Sequence, residues 1–190
     1  MRIIAVIPAR MASSRFPGKP MAKIHGMPMI GHCYHRVSMC KTLSETHVAT
    51  CDQEIFDYIQ SIGGNAVMTA TTHERASDRA AEAMLKIEET SNQKTDILVM
   101  VQGDEPMDRP EMIDEALAPM LKDPKIEIVN LMGDIDNAGD FEDPNTVKVV
   151  TDEKNNAIYF SREPIPSRKK GVEDGPKRKQ ICVIPFLRDF

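Results

Sequence analysis

No carboxylate precedes Glu45 in this 190-residue chain. Residues 1–44 hold seven basic side chains (Arg2, Arg10, Arg15, Lys19, Lys23, Arg36 and Lys41), a local charge of +7. The whole chain is −5, which leaves −12 for residues 45–190. An acidic balance argues against general nucleic-acid binding. A cationic stretch inside an acidic chain is a candidate site for a polyanion, the alternative being a solvated basic loop. Tryptophan is absent and aromatics are 5%, so the core must be aliphatic, with methionine filling irregular gaps. The four cysteines (Cys33, Cys40, Cys51, Cys182) form no CxxC pair and read as reduced, mostly buried thiols of a cytoplasmic protein. No apolar run approaches the roughly 20 residues that cross a bilayer, and no signal-peptide pattern opens the chain, so no membrane partner is expected. Fixed-period repeats and low-complexity tracts are also lacking.

What is present is an alternation. Ile3 to Ile7 is a short apolar run that reads as a buried strand, broken at Pro8 into a loop carrying Arg10, Ser13, Ser14, Arg15, Gly18 and Lys19. A helix is predicted over 28–40, a strand over 46–50, a helix capped by Asp52 and ended by Gly63-Gly64, and a strand over 65–69. A helix over about 77–89 leads to Ile97–Val101, the most apolar run and therefore a central strand, and Pro110 opens a further helix to about Met120. The pattern argues an α/β fold with a mostly parallel sheet over 1–130. Beyond it, a strand over 126–132, an exposed acidic linker over 133–144, a hairpin of 146–151 with 157–161, a mobile basic loop over 162–179 and a strand over 181–186 suggest a β-rich lobe over 131–190. The last strand needs cover, and no later segment supplies it. The expectation is that a C-terminal part lies outside this chain or that a partner subunit covers the strand.

Chemistry is expected where strands end in loops, because open α/β sheets bind ligands at the carboxyl ends of their strands. Three places qualify: the cationic loop after the first strand, the His73–Arg79 loop with Asp78 and Arg79, and Gln102-Gly103-Asp104-Glu105-Pro106 after the central strand. A carboxylate such as Asp104 is a hard oxygen ligand that suits Mg²⁺ held between protein and phosphates. Asp78 and Arg79 read equally well as an ion pair at a helix start. Pro17-Gly18-Lys19-Pro20 is not a Walker A loop, since Pro20 stands where a hydroxyl is required. His32 and His35 lack a third metal ligand and read as surface or cap histidines.

Pro8-Ala9-Arg10 followed by Ser13-Ser14-Arg15-Phe16-Pro17-Gly18-Lys19-Pro20 closely resembles the N-terminal signature of sugar nucleotidyltransferases that activate acidic sugars with CTP. Val101–Pro106, Asn145–Val149 and Tyr159–Pro166 resemble one branch, the 3-deoxy-manno-octulosonate cytidylyltransferases. The resemblance runs with gaps from residue 3 to about 166. It implies a Rossmann-like nucleotide-diphospho-sugar transferase sandwich with a smaller β-rich sugar-binding and dimerisation lobe. It also implies attack of a 2-keto sugar acid's anomeric hydroxyl on the α-phosphate of CTP, with release of pyrophosphate. By similarity, Ala9, Arg10, Ser13, Ser14, Lys19, Asp78 and Arg79 would bind the nucleotide. Arg15 and Gln102 would face the sugar, Asp104 would hold Mg²⁺, and Lys19, Arg10 and Asp104 would carry catalysis. A homodimer in the cytoplasm, feeding lipopolysaccharide or capsule assembly, is implied as well. Arg75, Ala76 and Ser77 stand where relatives carry Ser-Gly-Thr, and Gln180-Ile181-Cys182-Val183 replaces a His-Leu-Gly-aromatic run. These departures keep two alternatives open: another acidic sugar or base on the same fold, and a non-catalytic nucleotide-binding paralogue.

Overall fold

The computed structural model describes residues 1–12, 16–168 and 175–190. They divide into two compact units, Met1–Val129 with Val183–Phe190, and Asn130–Cys182.

The first unit is built on β1 (Ile3–Ala9), whose residues Ile4 to Ile7 are fully buried. A 3-10 turn at Lys19–Met21 and a small antiparallel pair, β2 (Lys23–Ile24) and β3 (Met27–Pro28), lead into α1 (Met29–Ser38). Next come β4 (Glu45–Thr50), α2 (Gln53–Ser61), β5 (Asn65–Met68), α3 (Ala76–Ser91), β6 (Ile97–Val101) and α4 (Pro110–Lys122). β4 and β6 pair parallel to β1 on either side, and β5 pairs parallel to β4. All five residues of β6 are buried, as its unbroken apolar run demands. Pro110 sits in the first turn of α4, where its missing N–H costs nothing.

The second unit holds β7 (Met132–Asp134), α5 (Ala138–Glu142), β8 (Lys148–Thr151), β9 (Ala157–Ser161) and β10 (Arg178–Gln180), with sheet order β7-β10-β8-β9, all antiparallel. Its anchor is Lys148, fully buried, whose Nζ donates to the carbonyls of Asp143, Thr146 and Arg162 at 2.6–2.8 Å. Three carbonyls stand in for the water that burial removes.

Three expectations change. The strand expected over 126–132 is instead a short bridge at Ile128 and then β7. The linker of 133–144 contains α5, with Phe141 buried under the guanidinium of Arg168 and the chain turned in by an Asn137 cap on Asp140 N–H. The strand expected over 181–186 is the final strand, β11 (Val183–Leu187), which joins the first unit's sheet antiparallel to β6, while β10 forms at the end of the stretch expected to be a basic loop. The central sheet therefore runs β11-β6-β1-β4-β5, mostly parallel with one antiparallel edge. The 131–190 lobe loses this strand, and the cover it needs comes from earlier elements: Ile184 packs with Met84, Ile87, Leu98 and Met100. Arg188 then locks the end of β11 to α3 through Nε and Nη2 on the two oxygens of Glu88, both at 2.8 Å.

Candidate active site

The carboxyl ends of β1 and β6 lie side by side and open into a cavity of about 360 Å³, lined by residues that include Arg10, Ala12, Lys19, Gln102 and Asp104. Two glycines shape it. A Cβ on Gly103 would stand 2.9 Å from the carbonyl oxygen of Pro8, so only glycine lets the loop after β6 close against the end of β1. Gly18, with φ +73°, makes the left-handed turn that starts the 3-10 segment and presents Lys19. Lys19 Nζ lies 2.8 Å from Asp104 Oδ2, and both side chains are partly open to solvent. Arg10 is exposed on the same cavity, so three of the expected charged groups face one space.

A smaller cavity, about 150 Å³, shares Pro8, Ala9, Arg10 and Ala76 with the first and adds His73, Glu74, Arg75 and Arg79. Its wall is stapled to the sheet. Arg79, 3% exposed, donates to Thr69 Oγ1 at 2.5 Å. Glu82 accepts from Ala70 N–H at 2.9 Å and pairs with Lys86 and His73. Lys86, then Ala70 and His73, outweigh burial and hold the Glu82 carboxyl down at about 2. Arg79 is thus a half-structural residue, and Asp78 is exposed on the first turn of α3, lining neither cavity. Ser13, Ser14 and Arg15 lie outside the described residues. So does the 169–174 part of the expected basic loop.

Sequence reasoning passed over two features. Asp52, read as a helix cap, makes no cap bond and instead accepts from the backbone N–H of Met11 at 2.8 Å. Asp108, just past the Asp104 loop, is buried, and its Oδ2 lacks a partner among the described residues. Burial first, then Glu105 and Asp104, push its carboxyl up to about 6. The residue types were visible, but their partners, 41 positions away for Asp52, were not. A larger groove of about 500 Å³ opens beside the starts of β4 and β5, lined by residues such as Glu45, His47 and Asn65. It lies at the opposite ends of the strands from the cationic cluster.

The family model described as Cytidylyltransferase matches residues 4–174. This chain belongs to the cytidylyltransferase family. The branch read from the motifs is borne out by relatives. The 3-deoxy-manno-octulosonate cytidylyltransferase of Geobacter metallireducens is 47% identical over 167 residues, covering 88% of this chain and 63% of that protein. That of Geobacter sulfurreducens is 46% identical over 166 residues, covering 87% of this chain and 64% of that one. The chain thus spans somewhat less than two thirds of the length of these relatives. The solved structure of CMP:2-keto-3-deoxy-manno-octonic acid synthetase complexed with CTP superposes with a TM-score of 0.89 at 39% identity, over 100% of this chain and 75% of that one. The cytidylyltransferase fold, a mostly parallel sheet plus a separate antiparallel one, is therefore established for this chain.

Among the described residues, no group of three or more His, Cys, Asp and Glu side chains is placed to hold a metal by itself. A lone carboxylate is nevertheless a donor that fits Mg²⁺. Mg²⁺ is usually held by one or two carboxylates plus substrate phosphates and water, and Asp104 offers a partly open carboxylate beside the cationic cavity.

Proposed function

We propose that this chain transfers CMP from CTP to the anomeric hydroxyl of 3-deoxy-manno-octulosonate or a close 2-keto sugar acid, releasing pyrophosphate. The observation that carries the reading is the Lys19–Asp104 contact at 2.8 Å, facing Arg10 across one cavity at the strand ends. The names of the relatives and the CTP-bound neighbour support the choice of nucleotide and acceptor.

Phosphoryl transfer is governed by positioning and charge stabilisation, and these side chains supply both. Arg10 and Lys19 bind the triphosphate, with Ala9 at the cavity wall. Lys19 stabilises the charge that builds on the attacked phosphate. Asp104 would hold Mg²⁺, which when bound neutralises charge on the α-phosphate and the leaving pyrophosphate. Without nucleotide, ammonium and carboxylate satisfy each other; a triphosphate gives Lys19 an anionic partner and frees Asp104 for a cation. Gln102, also on the cavity, orients the sugar acid. Ser13, Ser14 and Arg15 keep their motif-based roles in this reading, as does Arg79 in the wall of the smaller cavity, whereas Asp78, which lines neither cavity, takes none.

A cytoplasmic homodimer is part of the same proposal. The second unit supports the dimer by exposing Ile158, Tyr159 and Phe160 on β9, an edge strand of its sheet. A second reading, the same reaction with another acidic sugar or base, is favoured by Arg75 and Ala76, which depart from the family motif and line the smaller cavity.

The test is pyrophosphate release by the full chain with Mg²⁺ and 3-deoxy-manno-octulosonate, across CTP, UTP, GTP and ATP. Release with CTP is expected, and release with UTP alone would overturn the reading. Release with CTP only when another keto sugar acid is supplied would favour the second.

A further inference from the structure

We propose that Asp52 is a positioning residue that sets the two cationic groups of the cavity, Arg10 and Lys19, through the backbone of Met11. This rests on the reading of the cavity as a nucleotide site. Asp52 stands at the N-cap of α2 with extended backbone (φ −110°, ψ 121°), where an aspartate ordinarily accepts from the first helical N–H groups. Here it makes no such bond. Its Oδ2 turns away from the helix and accepts from Met11 N–H at 2.8 Å. The carboxylate therefore forgoes a helix cap, and capping does not explain it.

The location does. The parallel ladder between β1 and β4 ends at Ala9 and Thr50, because β4 turns off into α2. The next N–H of the first strand's continuation would lose its partner there, and the Asp52 side chain replaces the missing carbonyl. Asp52 is itself held at the sheet: its N–H donates to Oγ1 of Thr50, a fully buried residue. Met11 passes the constraint on, since its carbonyl accepts from Gly18 N–H at 3.0 Å. Arg10 directly precedes Met11, and Lys19 directly follows Gly18. One carboxylate thus ties both cations to the rigid end of β4, which keeps them from spending binding energy on ordering themselves around the phosphates.

The test compares Asp52→Ala, Asp52→Asn and Asp52→Ser in the full chain. CTP affinity with Mg²⁺ is measured by calorimetry, Met11 amide exchange by NMR and stability by thermal melting. Asparagine retains an oxygen at the same reach, whereas serine restores a good helix cap but is one atom too short for Met11. Expected results are an affinity loss of about tenfold for Asp52→Ala and Asp52→Ser, in line with a hydrogen bond to a charged group. Met11 amide protection should be lost in both, and Asp52→Asn should stay within threefold of wild type. Asp52→Ser should melt close to wild type. Wild-type affinity in Asp52→Ser would overturn the proposal alone, as would an Asp52→Asn as weak as Asp52→Ala. Failure of the wild-type chain to bind CTP would overturn the nucleotide reading and this proposal with it.

Discussion

Replacing Asp108 with asparagine is expected to stabilise the first unit above pH 6 and to remove a pH dependence that the wild type shows. The carboxylate is buried and its Oδ2 has no partner among the described residues. Its carboxyl is pushed from 3.8 up to about 6 by burial, then by Glu105 and Asp104. Below the unfolded value, both states hold the proton and Asp108 contributes nothing. Between that value and about 6, the unfolded chain gives up its proton first, so stability falls as pH rises. Above about 6 the whole penalty stands. Two pKa units correspond to about 3 kcal/mol. Asparagine removes the charge but buries new N–H donors at a cost of about 1 kcal/mol, leaving a net gain of about 2 kcal/mol at pH 8. In a chain of this length that is about 4–8 °C in Tm. At pH 4 the gain disappears and the asparagine cost remains. Unfolding of both proteins at unit steps from pH 4 to pH 8 reads the difference directly, because the titrations of groups not coupled to Asp108 cancel. Stability curves that stay parallel across this range would refute the reasoning.

Asp104→Asn is expected to lower turnover at least a hundredfold with only a modest loss of CTP binding, because the proposed metal acts mainly on the transition state; unchanged pyrophosphate release would remove Asp104 from the site. Gly103→Ala should cost about 1–3 kcal/mol, since its Cβ meets backbone rather than a yielding side chain, and a denaturant midpoint equal to wild type would argue against the close approach. Glu88 is held down at about 2, chiefly by Arg188, so its contribution is present above about 4.5 and is lost as pH falls towards 2. Glu88→Gln should lose roughly 2 kcal/mol at pH 7 and flatten that acid limb, and acid unfolding followed by circular dichroism checks both. Cys33 is pushed up to about 12 by burial, then by Asp108 and Asp104, so Cys51 and Cys182, both half-buried, should alkylate first; mass mapping that finds Cys33 labelled first would contradict this.

Elements with a strong local signature were legible. Ile97–Val101 was read with its exact bounds because an unbroken apolar run has one good location, the middle of a sheet. The helices after Pro28 and at Pro110 were marked by residues suited to helix starts. The stretch around 126–132 was misread because its pairing is remote: Leu187 N–H reaches the carbonyl of Glu127, and Val129 N–H that of Pro185. Periodicity cannot see a partner almost sixty residues away. The same blindness hid where β11 finds cover. At the cavity, charge pattern and strand ends pointed to Arg10, Lys19 and Asp104 without any structure. Asp52 escaped because its sequence context offers an adequate explanation, a helix cap, and only coordinates reveal that the side chain points elsewhere.

The claim beneath all of this is that the nucleotide sits over the carboxyl ends of β1 and β6, gripped by Arg10 and Lys19. Amide chemical-shift changes on titrating the full chain with CTP and Mg²⁺ test it most directly. The account predicts the largest changes at Ala9, Ala12, Ala76 and Gly103, which line the cationic cavity. Changes confined to Glu45, Asn65 and Thr90, along the larger groove at the other end of the strands, would contradict it.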